Sequence, residues 1–451
     1  MNRERIAWSI SLVLLVIATF RFTPSLANRD EDYAWVRTFV DIHRQVTANY
    51  VERVDEEKLR QAAIDGMLGQ LDAFTMYVPP SKVEDFDRMI EGTFRGVGIQ
   101  LNQLDNGKVE VVTPIEGSPA HRAGVLAGDI IVKVNGESIE GMRLPEVIKR
   151  IGGEIGTEVR LTVLHLNGET AELSMKRQEI VNPTVKGYQR NADNTWDWYV
   201  SRKSRIAYLR ITQFTPSTLD TVQPVLESLL KEGMQGLVLD LRFNPGGQLD
   251  QAVRLVDLFL EEGTIVITRG RNRPEDIKRA AEEGTLPAFP MVVLVNAHSA
   301  SASEIVAGSL QDNGRAMVVG MRTYGKGSVQ ELIPLEGRNG ELKLTVAYYY
   351  LPSGRLVHRR KDAKDWGVEP NFVVNMTDEQ EKAMQKQRLE QESFRRPASG
   401  PASRNAVNGT LGSVDPQLQK AVDTLEAMIF SQGTRKAPAT AATTTTTRWA
   451  P

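Results

Sequence analysis

The spacing of apolar residues changes character several times along this chain, and each change predicts a different kind of element. Behind a Met1-Asn-Arg-Glu-Arg5 start, residues Ile6 to Phe20 are apolar except for Ser9, Ser11 and Thr19. From about Asp32 to Met89 the apolar positions (Tyr33, Val36, Phe39, Val40) recur at helical spacing among charged ones, predicting helices broken at Pro79-Pro80. Between Gly92 and Arg177 the pattern shortens to β-rich runs parted by glycine turns, such as Val109–Thr113, Asp129–Val134 and Val159–Leu164, with one helix at about Leu144 to Ile151. Past Asn182, continuous apolar runs (Ile206–Ile211, Gly236–Leu241, Pro290–Asn296) alternate with amphipathic stretches (Leu219–Lys231, Leu249–Phe259). That alternation predicts buried strands joined by helical crossovers, hence an α/β region with a largely parallel sheet. Strand and helix then alternate less regularly through Glu341–Tyr348. After Asn375 a charged helical stretch runs to about Phe394, a Pro/Ser/Gly/Asn linker follows, and a short helix is expected from about Pro416 to Ile429.

The two ends read differently from the middle. The N-terminal apolar run is short for a membrane span and is closed by Arg21 and Pro24, and Ser25-Leu26-Ala27 offers small residues at the spacing a signal peptidase reads. Residues 1–27 are therefore expected to be a signal peptide cleaved after Ala27, with an uncleaved anchor as the alternative. Ala437 to Thr447 is mostly alanine and threonine, too poor in core-forming residues to fold. At 451 residues the chain has room for two or three domains. A formal net charge of −2 with 25% charged residues gives no basic field, which argues against nucleic acid as the main partner. Cysteine is absent, excluding disulfides, thiol catalysis and thiolate metal sites while leaving an exported location open.

Candidate chemistry centres on Ser299-Ala-Ser-Ala-Ser-Glu-Ile305 and Thr323-Tyr-Gly-Lys-Gly-Ser-Val-Gln330. Ser301 follows the apolar run ending at Asn296 and opens a helical pattern, Ala302–Gln311. A strand-to-helix turn of this kind exposes the hydroxyl and aims the next backbone N–H groups at one point, as an oxyanion site requires. Ser301 and Glu304 also satisfy a helix capping box, and on local sequence alone capping is the simpler role. Lys326 shifts the balance. Set between Gly325 and Gly327, it can be desolvated by a tightly packed turn and so act as a base, while Gln330 stands four residues on, where it could orient the amine; an exposed basic turn is the alternative. Gly320–Lys326 matches the first seven positions of a phosphate-binding P-loop but has Gly327 where Ser or Thr is needed, and Val329–Ile333 reads as a strand instead of a helix. His298 lies too close to Ser301 in sequence for triad geometry. His43, on the margin of an apolar helix face, reads as a packed or surface residue, His121, His165 and His358 have no distinctive acidic or serine context, and no metal-ligand spacing stands out.

Two resemblances organise these observations. Gly96-Val-Gly-Ile99, with Gly117-Ser-Pro-Ala-His-Arg-Ala-Gly124 and Gly128-Asp-Ile-Ile131, resembles a PDZ domain over residues 92–177. The resemblance implies a carboxylate-binding loop at Val97, Gly98 and Ile99 and a strand edge that takes a peptide as an extra strand. Over most of residues 30 to 376 the chain resembles a carboxyl-terminal processing (tail-specific) protease of the serine-lysine type. The motifs are Asp240-Leu-Arg-Phe-Asn-Pro-Gly-Gly247, Ser299–Ile305, Gly325–Gln330 and Tyr350-Leu-Pro-Ser-Gly-Arg355. Tyr324 stands where phenylalanine is common, and the tail after residue 395 is peculiar to this chain.

That second resemblance implies an α/β protease core of the ClpP/crotonase kind at 182–376, a helical region at 28–91, an inserted PDZ domain, and a helical C-terminal region at 377–451. It makes Ser301 the nucleophile, Lys326 the general base and Gln330 its orienting partner, with oxyanion donors on Ala302 and on Gly246 or Gly247 and no cofactor. The expected protein is an exported endopeptidase, periplasmic or on the outer face of the inner membrane, that selects protein substrates by apolar C-terminal tails. Self-association is expected; an adaptor protein and a peripheral or N-terminal membrane attachment are left open. A noncatalytic periplasmic PDZ scaffold is the competing reading.

Overall fold

The computed structural model describes residues 34–394 and 414–436, so the expected signal peptide, the linker after Phe394 and the Ala/Thr-rich end lie outside the described residues. Among the described residues no helix is long and apolar enough to cross a membrane. The chain divides into two units, residues 1–77 and 78–451. In the first, α1 (Ala34–Asn49) and α2 (Glu56–Leu68) carry the predicted helical periodicity. Asp55 caps α2 by accepting from the Lys58 amide at 3.2 Å, and Glu56 and Glu57 occupy the first turn, where the helix dipole favours negative charge.

The second unit opens with α3 (Pro80–Glu91), which has Pro80 at its start and ends on Gly92. A two-stranded tether, Thr93–Gly96 antiparallel to Gln178–Val181, brackets the segment that resembles a PDZ domain. Within it an antiparallel sheet runs in the order Ile99–Gln103, Val109–Pro114, Ile130–Val134, Glu158–Leu164, Thr170–Lys176, joined by α4 (Pro119–Arg122) and α5 (Leu144–Ile151). Period-two alternation puts Val159, Leu161 and Val163 inside, against Val109, Val111, Ile131 and Val147, in a core of its own.

The rest of the unit is built on a second sheet, in the order Val185–Lys186, Ile206–Ile211, Gly236–Asp240, Met291–Val295, Met317–Gly320, Phe372–Val373. The last five strands run parallel and the first is antiparallel. Its helices are α6 (Thr218–Lys231), α7 (Leu249–Asp257), α8 (Ala302–Asp312), α9 (Asp378–Glu392) and α10 (Pro416–Lys436). Leu237, Leu239, Val293 and Val295 pack toward α6, α7 and α8, whereas Val238, Val292 and Leu294 pack against Leu418, Ala421, Val422 and Leu425 of α10. Burial on both faces is why these strands read as unbroken apolar runs. α10 runs seven residues past the expected end at Ile429.

One part of the fold is not anticipated by the sequence reading. Beside the parallel sheet lies an antiparallel one containing Thr264–Gly270, Arg273–Arg279, Ser328–Pro334 and Glu341–Tyr350. Arg273-Pro-Glu-Asp-Ile-Lys-Arg279 is exposed throughout, so its strand conformation comes from pairing with Thr264–Gly270 and not from a buried face.

Candidate active site

Gly236–Asp240 and Met291–Val295 are parallel neighbours, so the turns that leave their C-terminal ends lie side by side, where open α/β sheets place their sites. The two turns are stitched together. The Phe243 amide donates to Asn296 Oδ1 (3.0 Å), Ser299 Oγ to the Leu241 carbonyl (2.9 Å), and both the Ala300 amide and Ser303 Oγ to the Asn244 carbonyl (3.0 Å each). Ser301 sits at the crest with φ 56° and ψ −116°, a conformation L-residues rarely adopt and which the surrounding bonds enforce. Gly246 approaches so closely that a Cβ there would stand 2.7 Å from both the Ser301 Cβ and the Ala300 carbonyl oxygen.

The two expected anion-binding glycines are not equivalent. The Gly246 N–H already donates to Asn244 Oδ1 at 2.8 Å. The N–H groups of Gly247 and Ala302 make no hydrogen bond among the described residues, and both residues line the same cavity as Ser301. That cavity, 310 Å³ in volume, is also lined by Lys326, Ser328, Gln330 and Tyr349, with Leu249, Ile305, Val329 and Leu332 supplying apolar wall. Gln330 Nε2 donates to Ser328 Oγ (2.8 Å) and Thr345 Oγ1 (3.1 Å), which commits both amide hydrogens and turns Oε1 away from those hydroxyls.

Glu304 is the residue whose part was not foreseen. It fits the capping box in that its Oε2 takes the Ser301 amide (2.8 Å), while its own N–H bonds the Ser301 carbonyl (2.8 Å). The same Oε2 also accepts the Lys326 amide (2.8 Å), and Oε1 accepts Thr323 Oγ1 (2.5 Å) and the Gly325 amide (2.7 Å). One carboxylate thus holds the serine turn and the lysine turn together. Burial pushes its carboxyl above the usual range, and the Thr323 hydroxyl and the three amides work against that rise. Tyr349 completes the joint, its hydroxyl donating to the carbonyls of Ser301 (3.0 Å) and Lys326. The S-x-x-E spacing marked Glu304, but its partners come from a loop about twenty residues later and nothing local announces them.

Asp240 and Arg242, in the first protease-like motif, lie under the Phe243–Gly247 turn. Asp240 accepts from Arg242 Nη2 (2.7 Å), Arg388 Nη2 (2.5 Å) and Tyr208 Oη (2.8 Å), and Arg242 Nη1 reaches Asp415 (2.8 Å). Burial raises the Asp240 carboxyl, but Arg242 and Arg388 outweigh it and hold the group well below the usual carboxylate range. His298 stacks on Phe243 with ring centroids 5.4 Å apart and does not line the cavity. His165 bonds Asp129 at 2.8 Å within the PDZ-like sheet.

In that sheet the carbonyls of Val97 and Gly98 are taken inward, by the Ala120 amide (2.9 Å) and by the Ile115 amide (2.9 Å) and Ser118 Oγ (3.1 Å). The Val97 and Gly98 N–H groups make no hydrogen bond among the described residues. Gly98 has φ 77°, and a Cβ there would meet the Ser118 Cβ at 2.3 Å. Ile99–Gln103 is an edge strand, and Gln103 ties it to α5 by bonds to the Met142 carbonyl (2.9 Å) and the Leu144 amide (3.2 Å).

A model of peptidase family S41 matches residues 205–374, and a PDZ-domain model matches residues 110–165. The chain is 39% identical to the carboxy-terminal-processing protease of Bartonella bacilliformis, over 77% of this chain and 76% of that protein. It is 33% identical to the carboxy-terminal processing protease CtpA of Bacillus subtilis, over 74% of this chain and 68% of that one. Among solved structures it is similar to a photosystem II D1 C-terminal processing protease, with 30% identity, a TM-score of 0.42, and coverage of 75% of this chain and 92% of the other. With 39% identity to the Bartonella bacilliformis protein over most of both chains, and with an S41 segment following a PDZ segment, the chain belongs to peptidase family S41, as a serine-type carboxy-terminal-processing peptidase.

Proposed function

We propose that this chain is an exported endopeptidase in which Ser301 is the nucleophile, Lys326 the general base and Gln330 the group that orients the lysine. The observation that carries the reading is the shared cavity of 310 Å³, which gathers Ser301, Lys326, Gln330, Ala302 and Gly247 from three separate segments of the sequence. Ser301 Oγ attacks the scissile carbonyl carbon as its proton passes to Lys326 Nζ. The oxyanion is held by the N–H groups of Ala302 and Gly247, which make no hydrogen bond among the described residues and belong to residues lining the cavity with Ser301; Gly246 drops out because its N–H belongs to Asn244. Collapse expels the amine, which takes the proton from Lys326, and water hydrolyses the ester by the same steps in reverse. Gln330 serves through Oε1, the end of its amide not spent on Ser328 and Thr345. The core is of the ClpP/crotonase kind, for which the parallel sheet clad on both faces is the support.

Substrate selection falls to the PDZ domain. The inward pull on the Val97 and Gly98 carbonyls leaves their N–H groups for a terminal carboxylate, and the edge strand Ile99–Gln103 accepts the tail as an added strand. The apolar cavity wall fits apolar side chains beside the scissile bond. Export to the periplasm or the outer face of the inner membrane rests on the sequence of residues 1–27. The test is time-resolved mass spectrometry of an unfolded protein with an apolar C-terminal tail. Wild type should cleave it, and folded Ser301→Ala and Lys326→Ala should both be inert; turnover by either variant overturns the assignment.

A further inference from the structure

The ionic cluster beneath the Phe243–Gly247 turn contains groups that the proposed mechanism does not use. Arg242 is fully buried, and all five of its guanidinium N–H groups are engaged. Nε goes to Asp240 Oδ1 (3.0 Å), Nη2 to Asp240 (2.7 Å) and Asp415 (2.8 Å), and Nη1 to Asp415 (2.8 Å) and Gln417 (3.0 Å). Most of that shell arrives from the far end of the chain. Asp415 immediately precedes α10, and its Oδ1 also accepts the Leu418 amide at 2.9 Å, so one carboxylate caps the helix and grips the arginine. Gln417 fastens the same helix end to the Val374 carbonyl at 2.8 Å, and Arg388 of α9 bonds Asp240 at 2.5 Å.

Along the backbone, Arg242 is followed at once by Phe243, held at φ 61°, then by Asn244, whose side chain fixes the Gly246 amide, and then by Gly247. A bulky residue in the left-handed region persists only where its neighbours over-determine it. The guanidinium clamped from both sides is the anchor on the N-terminal side of that turn, as Asn296 is on its flank.

We propose that Asp415 is a positioning residue for catalysis: by clamping Arg242 it holds the Phe243–Gly247 turn where the Gly247 N–H meets the developing oxyanion, which makes the C-terminal helix part of the catalytic centre. The proposal rests on the assignment of Gly247 made above. Asp415→Asn keeps the shape of the side chain but turns an NH₂ toward a guanidinium that offers only donors.

The experiment uses the full chain and three readouts: peptide hydrolysis, affinity for a peptide aldehyde whose hemiacetal oxygen occupies the oxyanion position, and hydrogen exchange. In Asp415→Asn, kcat should fall about 100-fold with KM within about twofold, and aldehyde affinity should fall by a similar factor. Exchange at 241–248 should rise about tenfold while that at 206–211 and 291–295 stays put. Asp415→Glu, which keeps the charge, should recover part of kcat. Wild-type kcat and aldehyde affinity in Asp415→Asn, or faster exchange across the whole sheet with KM rising as much as kcat falls, overturns the proposal. Should Asp415→Asn not fold, Gln417→Leu, which removes one neutral acceptor from the same guanidinium, is judged by the same readouts. If the wild type forms no aldehyde adduct, the peptidase reading of the site fails, and exchange at 241–248, which needs no turnover, still decides the clamp.

Discussion

Two buried carboxyls hold the loops around the site, and their surroundings shift them in opposite directions. Glu304 is surrounded by neutral donors, three backbone amides and a threonine hydroxyl, and its carboxyl is pushed up by burial. Asp240 is just as deeply buried but faces two guanidinium groups, and its carboxyl is held down. The difference follows the job. A hub that must join two loops needs many short-range donors fixed in direction, and backbone amides supply these without adding charge next to Lys326. An anchor under a strained turn needs strength more than neutrality, and a bidentate guanidinium provides it.

The contrast can be broken most forcefully at Glu304. Glutamine there offers one oxygen where two are used, so either the Ser301 and Lys326 amides or the Thr323 and Gly325 donors face an NH₂. Glu304→Gln should lower kcat by about 100- to 1,000-fold and stability by about 3 kcal/mol, the cost of two buried unsatisfied donors, read by peptide hydrolysis and urea unfolding. Arg242→Met leaves Asp240 and Asp415 short of a cation; urea unfolding should register a loss of about 3–5 kcal/mol, typical of a buried pair stripped of one partner.

Acid sharpens the comparison. Asp415 lies below its ordinary 3.8 because, although burial raises it, Arg242 more than compensates, and Asp240 is shifted the same way. Groups depressed in the folded state contribute stability that is present above the unfolded pKa and is lost as pH falls through the folded one. Glu304, raised above 4.5, has the opposite sign: the folded state holds its proton longer, so its contribution declines as pH climbs through that range. Denaturation midpoints should therefore fall below about pH 3.8, and less steeply in Asp415→Asn than in wild type; parallel curves would refute this account. The smallest effect is expected at Thr345→Val, which removes one of two acceptors orienting Gln330 and should lower kcat about threefold at unchanged stability.

How much of this was legible in the sequence depended on distance along the chain. Ser301, Lys326 and Gln330 fall within one stretch of thirty residues and carry recognisable motifs, and the strands of the parallel sheet betray themselves as apolar runs because both their faces are buried. Glu304 was visible only as a cap, since a side chain's local use is written in its neighbours and its tertiary use is not. The Asp415 and Arg388 partners of the Asp240-Leu-Arg242 motif lie more than 140 residues away, Arg388 as one charge among many on a charged helix and Asp415 just ahead of another helix, and nothing local marks either. Arg273–Arg279 was hidden for a simpler reason: an edge strand open to water needs no alternation.

The five-fold engagement of Arg242 also sets an order of events in time. Until residues 415 and 417 arrive, the guanidinium just past the end of the Gly236–Asp240 strand has only part of its shell, so on this proposal the Phe243–Gly247 turn beside Ser301 is not yet held. In a chain emerging from its N-terminus, Ser301 and Lys326, the proposed nucleophile and base, appear well before Asp415 does. On the clamp proposed above, full activity waits for residues 415–417, and a peptidase that is slow until then spares itself and the unfolded chains travelling beside it.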